Sequence, residues 1–284
     1  MRILLTASGF QGAFPLVEYL KSRGHIVIGT DTNPNCGARF YCDKFYKSHH
    51  GYSNFYHLHL EDIIKKERIK MIIPGSSEEV LALEEDVKPR VSAKILTSSA
   101  EVLEICLDKV KTYEKLKGVI PIPPYFFSSS SIFMKPSRGK GGRGIELLPT
   151  EFLMGAKWDE EEVDVDVLAL NGQLLACVCK TRLRTYGGTL AEGEIVERPE
   201  LVEQIKKALK VLPVDYLSVW QFMGGELLEI NPRIGGATGD FELVDLAIKL
   251  ATGEIKPEEI KYKPPIGSKI TRFLTQKIWQ EKHT

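Results

Sequence analysis

The sequence predicts two differently built halves, an α/β unit on a parallel sheet over roughly residues 1–100 and an α+β unit after it. Two observations carry this. Short apolar runs alternate with amphipathic stretches in the first part, as βαβ units do. Beyond IPIPP at 120–124, which breaks any helix, the runs are those of an antiparallel sheet interrupted by two helical stretches. A third observation bears on function: a basic glycine-rich loop is followed, far along the chain, by an acidic strand end.

Taken in order, residues 2–7 read as a buried strand. SGFQGAFPLVEYLKSRG is a glycine turn and an amphipathic helix stopping at Gly24. HIVIGTD is a second strand, closing on Asp31. LEDIIKKERI reads as helix, KMIIPGS as strand, EEVLALEEDV as helix and AKILTSS as strand. Residues 101–118 form a helix pair or one bent helix. IFMK, GIELL, VDVDVLAL, QLLACVCKTR, YLSVWQFM and ELLEIN are the predicted antiparallel strands, and LVEQIKKALKVL and FELVDLAIKLATG the predicted helices.

At 284 residues the chain has room for two compact domains, or three if one is small. Lys plus Arg and Asp plus Glu are 38 each, so no net charge draws the chain to nucleic acid or an anionic membrane, and neither is expected as a partner. No apolar stretch is long enough for a transmembrane helix, and the amino terminus lacks the features of a signal peptide. The cysteines Cys36, Cys42, Cys106, Cys177 and Cys179 have no CxxC spacing and read as reduced packing residues of a cytoplasmic protein.

Three segments carry chemistry. In IFMKPSRGKGGRGI, a strand bearing Lys135 runs into a loop with Arg138, Gly139, Gly141, Gly142 and Gly144. Glycines let backbone amides approach an anion, and the basic side chains add charge. The lysine precedes the glycines, so this is not a P-loop; a basic hairpin tip is the plain alternative. In LLEINPR, Glu229 and Asn231 are two apart on a strand and face one way, offering hard oxygen ligands of the kind Mg²⁺ takes. Arg233 follows within reach of an anion. A solvated strand end is the alternative. The third segment is SVWQFMGGELLEIN. A two-residue loop at Gly224–Gly225 pairs Met223 with Glu226 and puts Gln221 on the face opposite Glu229. For Gln221 to join the site, the expectation is a loop with an odd number of residues.

Together these segments resemble the ATP-grasp superfamily, most closely the carbamoyl phosphate synthetase large-subunit-like and carboxylate-amine ligase type. DK before IPIP, the lysine strand and Gly-rich loop, EVDVDV, a basic strand and Q…E-x-N-P-R occur in the family's order, over nearly the whole chain. The resemblance implies a Rossmann-like pre-ATP-grasp domain at 1–103 and a compact ATP-grasp domain at 104–284. The latter has a reduced lid lobe at about 120–155 and a carboxyl-terminal lobe at about 156–284. It implies ATP and Mg²⁺, with Mn²⁺ as a possible substitute, small-molecule carboxylate and amine substrates, and a homodimer as one assembly. Lys109 and Lys135 match the phosphate-contacting lysines, and Arg138 and Gly139 to Gly144 the loop that closes over the β- and γ-phosphates. Glu162 matches the second of two nucleotide-side acids, and Gln221, Glu229 and Asn231 the metal set. Arg233 matches the arginine beside the transferring phosphoryl group. Lys180, Arg182 and Arg184, alternating along one strand face, match the basic strand that meets acceptor and γ-phosphate, with a solvated strand face as the alternative.

Two departures stand out. The usual hinge acid is missing where Gly155 and Ala156 stand, with Asp159 or Glu160 as replacements. Only residues 124–134 separate the IPIP proline from Lys135, where relatives commonly have a helix. The implied activity is activation of a carboxylate as an acyl phosphate for attack by an amine, with release of ADP and phosphate. A synthetase-like component making carbamoyl or carboxy phosphate and a non-catalytic nucleotide-binding module are the alternatives. A nicotinamide oxidoreductase is a third, since Asp31 closes the second strand, although SGFQG lacks G-x-G-x-x-G. His49, His50, His57 and His59 read as surface or loop residues, not metal ligands.

Overall fold

The computed structural model describes residues 1–127, 132–134, 146–148, 152–154, 160–186, 189–236 and 238–272. Its first part is a five-stranded parallel sheet of β1 (Arg2–Leu5), β2 (Ile26–Asp31), β3 (Lys44–Lys47), β4 (Met71–Ile73) and β5 (Lys94–Ile95), in the order β3-β2-β1-β4-β5. Ile3, Leu4 and Leu5 are all fully buried, as expected of a strand covered on both faces. Strand β3 is an addition to the sequence reading. Its KFYK pattern is half-exposed at the sheet edge, so it lacks the continuous apolar run that marks the central strands.

Helix α1 (Ala13–Ser22) buries Ala13, Leu16, Val17 and Leu20, an i, i+3, i+4, i+7 stripe. Helix α2 (Tyr56–Glu67) ends at Arg68 in the left-handed region (φ 52°). The predicted helix over EEVLALEEDV is short and irregular. α3 (Val80–Ala82) runs into a wider turn over Leu83–Val87 and then a tight turn over Lys88–Arg90, where Pro89 prevents a continuing α-helix. The helix pair at 101–118 is α4 (Ala100–Cys106) and α5 (Lys109–Leu116). Asp108 caps α5 by accepting from the Val110 and Lys111 amides, which makes Lys109 its first residue.

Beyond it, β6 (Tyr125–Phe127) pairs with β9 (Phe152–Met154), and β7 (Ile132–Met134) with β8 (Glu146–Leu148). A large antiparallel sheet then combines β10 (Glu162–Leu170), β11 (Gln173–Thr181), β12 (Arg184–Tyr186), β13 (Thr189–Val196), β14 (Tyr216–Met223) and β15 (Glu226–Asn231), with β16 (Lys269–Thr271) on β13. The path is β12-β13-β11-β10-β14-β15. Helices α6 (Pro199–Leu209) and α7 (Glu242–Thr252) cover it. The VDVDV alternation explains its two faces: Val163, Val165 and Val167 enter one apolar core, while Asp164 and Asp166 point the other way. Another core joins Ile3, Leu5 and Leu16 to Leu168, Val178 and Leu243, so the two sheets are packed together. Among the described residues, no helix is long and apolar enough to cross a membrane.

Candidate active site

The site begins with a register. Gly224 and Gly225 form a two-residue turn with φ of 56° and 82°, values that favour glycine, and Met223 pairs with Glu226. An odd-numbered loop is therefore not what brings Gln221 and Glu229 together. A bulge does. Phe222 pairs with Leu227 but Gln221 pairs with Glu229, leaving Leu228 as the extra residue of β15. The Leu228 carbonyl accepts a 2.8 Å hydrogen bond from the Tyr113 hydroxyl of α5. The bulge reverses the parity that the turn alone imposes, so Gln221, Glu229 and Asn231 share one face. Val219 pairs with Asn231 beside them.

The row continues across the sheet. Gln221 pairs with Asp164 on β10, and Asp164 with Lys180 on β11. Asp164, Arg182, Thr189, Val219, Gln221, Glu229, Asn231, Arg233, Gly235 and Gly236 line one open cleft. Lys109 reaches Glu229 from the first turn of α5, Nζ to Oε2 at 3.0 Å. Asn231 donates its amide to Glu229 Oε1 at 2.8 Å. Burial pushes the Glu229 carboxyl up, but the donors Asn231 and Lys109 together hold it below its ordinary value. Arg233 donates through Nη2 to Asn231 Oδ1 at 3.2 Å and through Nε to the Ser77 hydroxyl at 3.1 Å. Its burial lowers the guanidinium pKa, while the charges of Glu229 and Glu79 oppose that.

The basic strand is not one strand. β11 stops at Thr181 and β12 starts at Arg184, so the expected alternation of Lys180, Arg182 and Arg184 along one face is broken. Lys180 is fully buried and paired with Asp166, whose Oδ2 also accepts from the Gly239 amide at 3.1 Å. Arg182 pairs with Glu162 and lies 3.6 Å from Asp164. Arg184 is exposed and bound to Glu192 at 2.5 Å. Glu162 also accepts from the Gln221 amide, so it faces the sheet centre. Burial, partly offset by Lys180 and Arg182, pushes the Asp164 carboxyl up to about 6.

Lys135, Arg138, Gly139, Gly141, Gly142 and Gly144 lie outside the described residues, as do the hinge positions Gly155, Ala156 and Asp159. Asp164, Thr189, Gly235, Gly236 and Ser77 were not among the sequence candidates. The alternation of EVDVDV marks Asp164 as facing with Glu162. Ser77 sits in the loop after β4, 154 residues before Asn231 in the chain, and no local signal joins them. Asp31 is engaged inside the first sheet: Oδ2 accepts from Gly9 N at 2.6 Å and Oδ1 from Asn33 N at 2.8 Å. Both carboxylate oxygens thus hold backbone turns. His49 and His50 are exposed, and among the described residues no three His, Cys, Asp or Glu side chains converge as a metal site. The cysteines are free thiols.

Glu229 and Gln221 offer hard oxygens on one face, with the Lys109 ammonium already against the Glu229 carboxylate, while Asn231 Oδ1 on the same face is taken by Arg233 and Ser77. That donor set fits a magnesium ion.

Residues 148–270 match a family model described as ATP-grasp in the biosynthetic pathway with Ter operon. This stretch of the chain is similar to the ATP-grasp family. Residues 3–96 match the PylC-like N-terminal domain, so the parallel sheet preceding the ATP-grasp region has a family counterpart of its own. No curated protein matches the chain. Among solved structures, N5-carboxyaminoimidazole synthetase from Staphylococcus aureus, complexed with ADP, superposes with a TM-score of 0.65 at 15% identity, covering 89% of this chain and 77% of that one. Biotin carboxylase from Campylobacter jejuni, in a β-γ-ATP complex, gives 0.64 at 15%, covering 91% and 73%. The biotin carboxylase domain dimer of Hydrogenobacter thermophilus 2-oxoglutarate carboxylase, with MgADP and bicarbonate, gives 0.63 at 15%, covering 93% and 72%. At such identity these structures share the ATP-grasp fold.

Proposed function

We propose that this protein is an ATP-dependent, ADP-forming ligase that activates a small carboxylate as an acyl phosphate for attack by an amine. The observation that carries the reading is the convergence in one cleft of Glu229, Gln221, Asn231 and Arg233, with Lys109 paired to Glu229. The family match over 148–270 and the named activities of the structural neighbours support it.

Gln221 and Glu229 would hold Mg²⁺, which supplies charge neutralisation for the nucleotide phosphates when bound, and Asn231, its Oδ1 taken by Ser77 and Arg233, would orient Glu229 through its amide. Lys109 and Arg233 flank that set and offset further negative charge on the nucleotide. A carboxylate oxygen attacks the γ-phosphorus, the bond to the ADP oxygen breaks, and an acyl phosphate and ADP result. The amine nitrogen then attacks the acyl carbon, phosphate leaves, and the nitrogen loses its proton. Arg182, tied to Glu162 and Asp164, lies on the cleft wall where it can orient the acceptor. Lys180, consumed by Asp166, serves as a buried support for that wall, and Arg184 is exposed and paired with Glu192.

The test is the melting temperature with Mg-ATP, with ATP plus chelator, and without nucleotide, for the wild type and Glu229→Gln. Saturation at about 100 times the dissociation constant adds ~2.7 kcal/mol of stability. A magnesium-dependent rise that Glu229→Gln loses is expected, followed by ADP release and a hydroxamate when carboxylates are screened with hydroxylamine. A wild type that melts identically with and without Mg-ATP excludes the reading.

A further inference from the structure

The loop between β4 and α3 belongs to the parallel sheet, yet its Ser77 reaches the candidate phosphate site. The Ser77 hydroxyl donates to Asn231 Oδ1 at 3.3 Å and accepts from Arg233 Nε at 3.1 Å. The loop has little freedom. Glu79, fully buried, accepts from the Gly75 amide at 3.1 Å, the Ser76 amide at 3.2 Å, the Thr6 hydroxyl at 2.6 Å and the Tyr56 hydroxyl at 2.7 Å. One carboxylate thus fastens the two residues before Ser77 to Thr6, just after β1, and to α2.

This anchoring has a directional consequence. With Ser77 and Arg233 both donating to Asn231 Oδ1, the Asn231 amide protons turn to Glu229, and the relay runs from Ser77 to Lys109. The guanidinium of Arg233 is held on its other side by the Ile234 carbonyl at 2.7 Å. Removing the Ser77 hydroxyl frees Nε and one orientation of the Asn231 amide together.

We propose that Ser77 is a positioning residue for the phosphate site, fixing Arg233 and Asn231 from the parallel sheet so that the terminal phosphate of the nucleotide meets them already arranged. The proposal rests on the ligase reading above.

The test compares binding of a non-hydrolysable ATP analogue and of ADP, each with Mg²⁺, to the wild type, Ser77→Ala, Ser77→Cys and Ser77→Thr, with melting temperatures of the nucleotide-free proteins alongside. Cysteine keeps the side-chain size while losing the strong hydrogen bond, should alanine disturb the loop. Loss of a hydrogen bond to a charged group predicts about tenfold weaker binding of the triphosphate in Ser77→Ala and Ser77→Cys. ADP binding changes less than about twofold, and Ser77→Thr restores the wild-type affinity. Equal weakening of both nucleotides, or no weakening of the triphosphate, overturns the proposal. A wild type that binds neither nucleotide overturns the ligase reading and this inference with it.

Discussion

The Tyr113 hydroxyl and the Leu228 carbonyl, 2.8 Å apart, join α5 to the bulge that turns Glu229 toward Gln221. Tyr113 is fully buried, so its loss as a donor is not repaired by water. Tyr113→Phe should cost about 1–3 kcal/mol, the penalty for a buried acceptor without a partner. On a chain of this size that lowers the melting temperature by a few degrees. The same variant should weaken the Mg-ATP-dependent rise, because the bulge then loses one of its fixings. Unchanged melting of both the free and the nucleotide-bound protein would show that the β14–β15 register holds the bulge unaided.

The buried Lys180–Asp166 pair makes an opposite kind of demand. Lys180 has no exposed surface, and Asp166 is also buried. Replacing Lys180 by methionine leaves the Asp166 charge without its partner, which costs roughly 3–5 kcal/mol. Adding Asp166→Asn removes that charge while leaving an oxygen for the Gly239 amide. Urea unfolding should therefore place Lys180→Met well below the double variant. If the single variant is as stable as the wild type, the pair is not a structural support of the cleft wall.

Gly75 is the narrowest point of the loop that carries Ser77. A Cβ there would stand 2.4 Å from the Thr6 carbonyl oxygen and 3.0 Å from that of Ala7, both backbone atoms. Gly75→Ala must push the loop away from the Thr6–Ala7 backbone that follows β1, at about 1–3 kcal/mol. The shift should lower the melting temperature and weaken triphosphate binding together. A variant that melts and binds as the wild type does would mean that the loop yields without moving Ser77.

The parallel sheet was legible because its central strands are continuous apolar runs and its helices carry clear stripes; the edge strand β3 offered neither. The Glu229–Asn231 pair was legible from period two alone. Gln221 was harder, because two adjacent leucines at 227 and 228 give no sign of which is the extra residue. The structure places the correction within β15 instead of in the turn. The basic strand was misread for a related reason: Lys180, Arg182 and Arg184 keep period two through a break in the strand that sequence does not mark. Ser77 could not be read at all, since its role depends on two sheets meeting.

The pH dependence of stability should carry the mark of Glu67, buried on the parallel-sheet side. Its carboxylate accepts from the Tyr46 hydroxyl at 2.5 Å and from Lys44 at 2.9 and 3.1 Å, and it pairs with Arg2. The hydrogen bond from Tyr46, then that from Lys44, lead the effects that hold its pKa down at about 2, against an ordinary 4.5. A depressed acid binds fewer protons folded than unfolded, so its contribution is complete above about 4.5 and falls away as pH drops toward 2. Glu67→Gln should accordingly melt below the wild type at pH 7, and the difference should shrink as the pH is taken from 5 toward 2.5. A difference that stays constant over that range would assign the loss to packing of the amide instead of to the carboxylate charge.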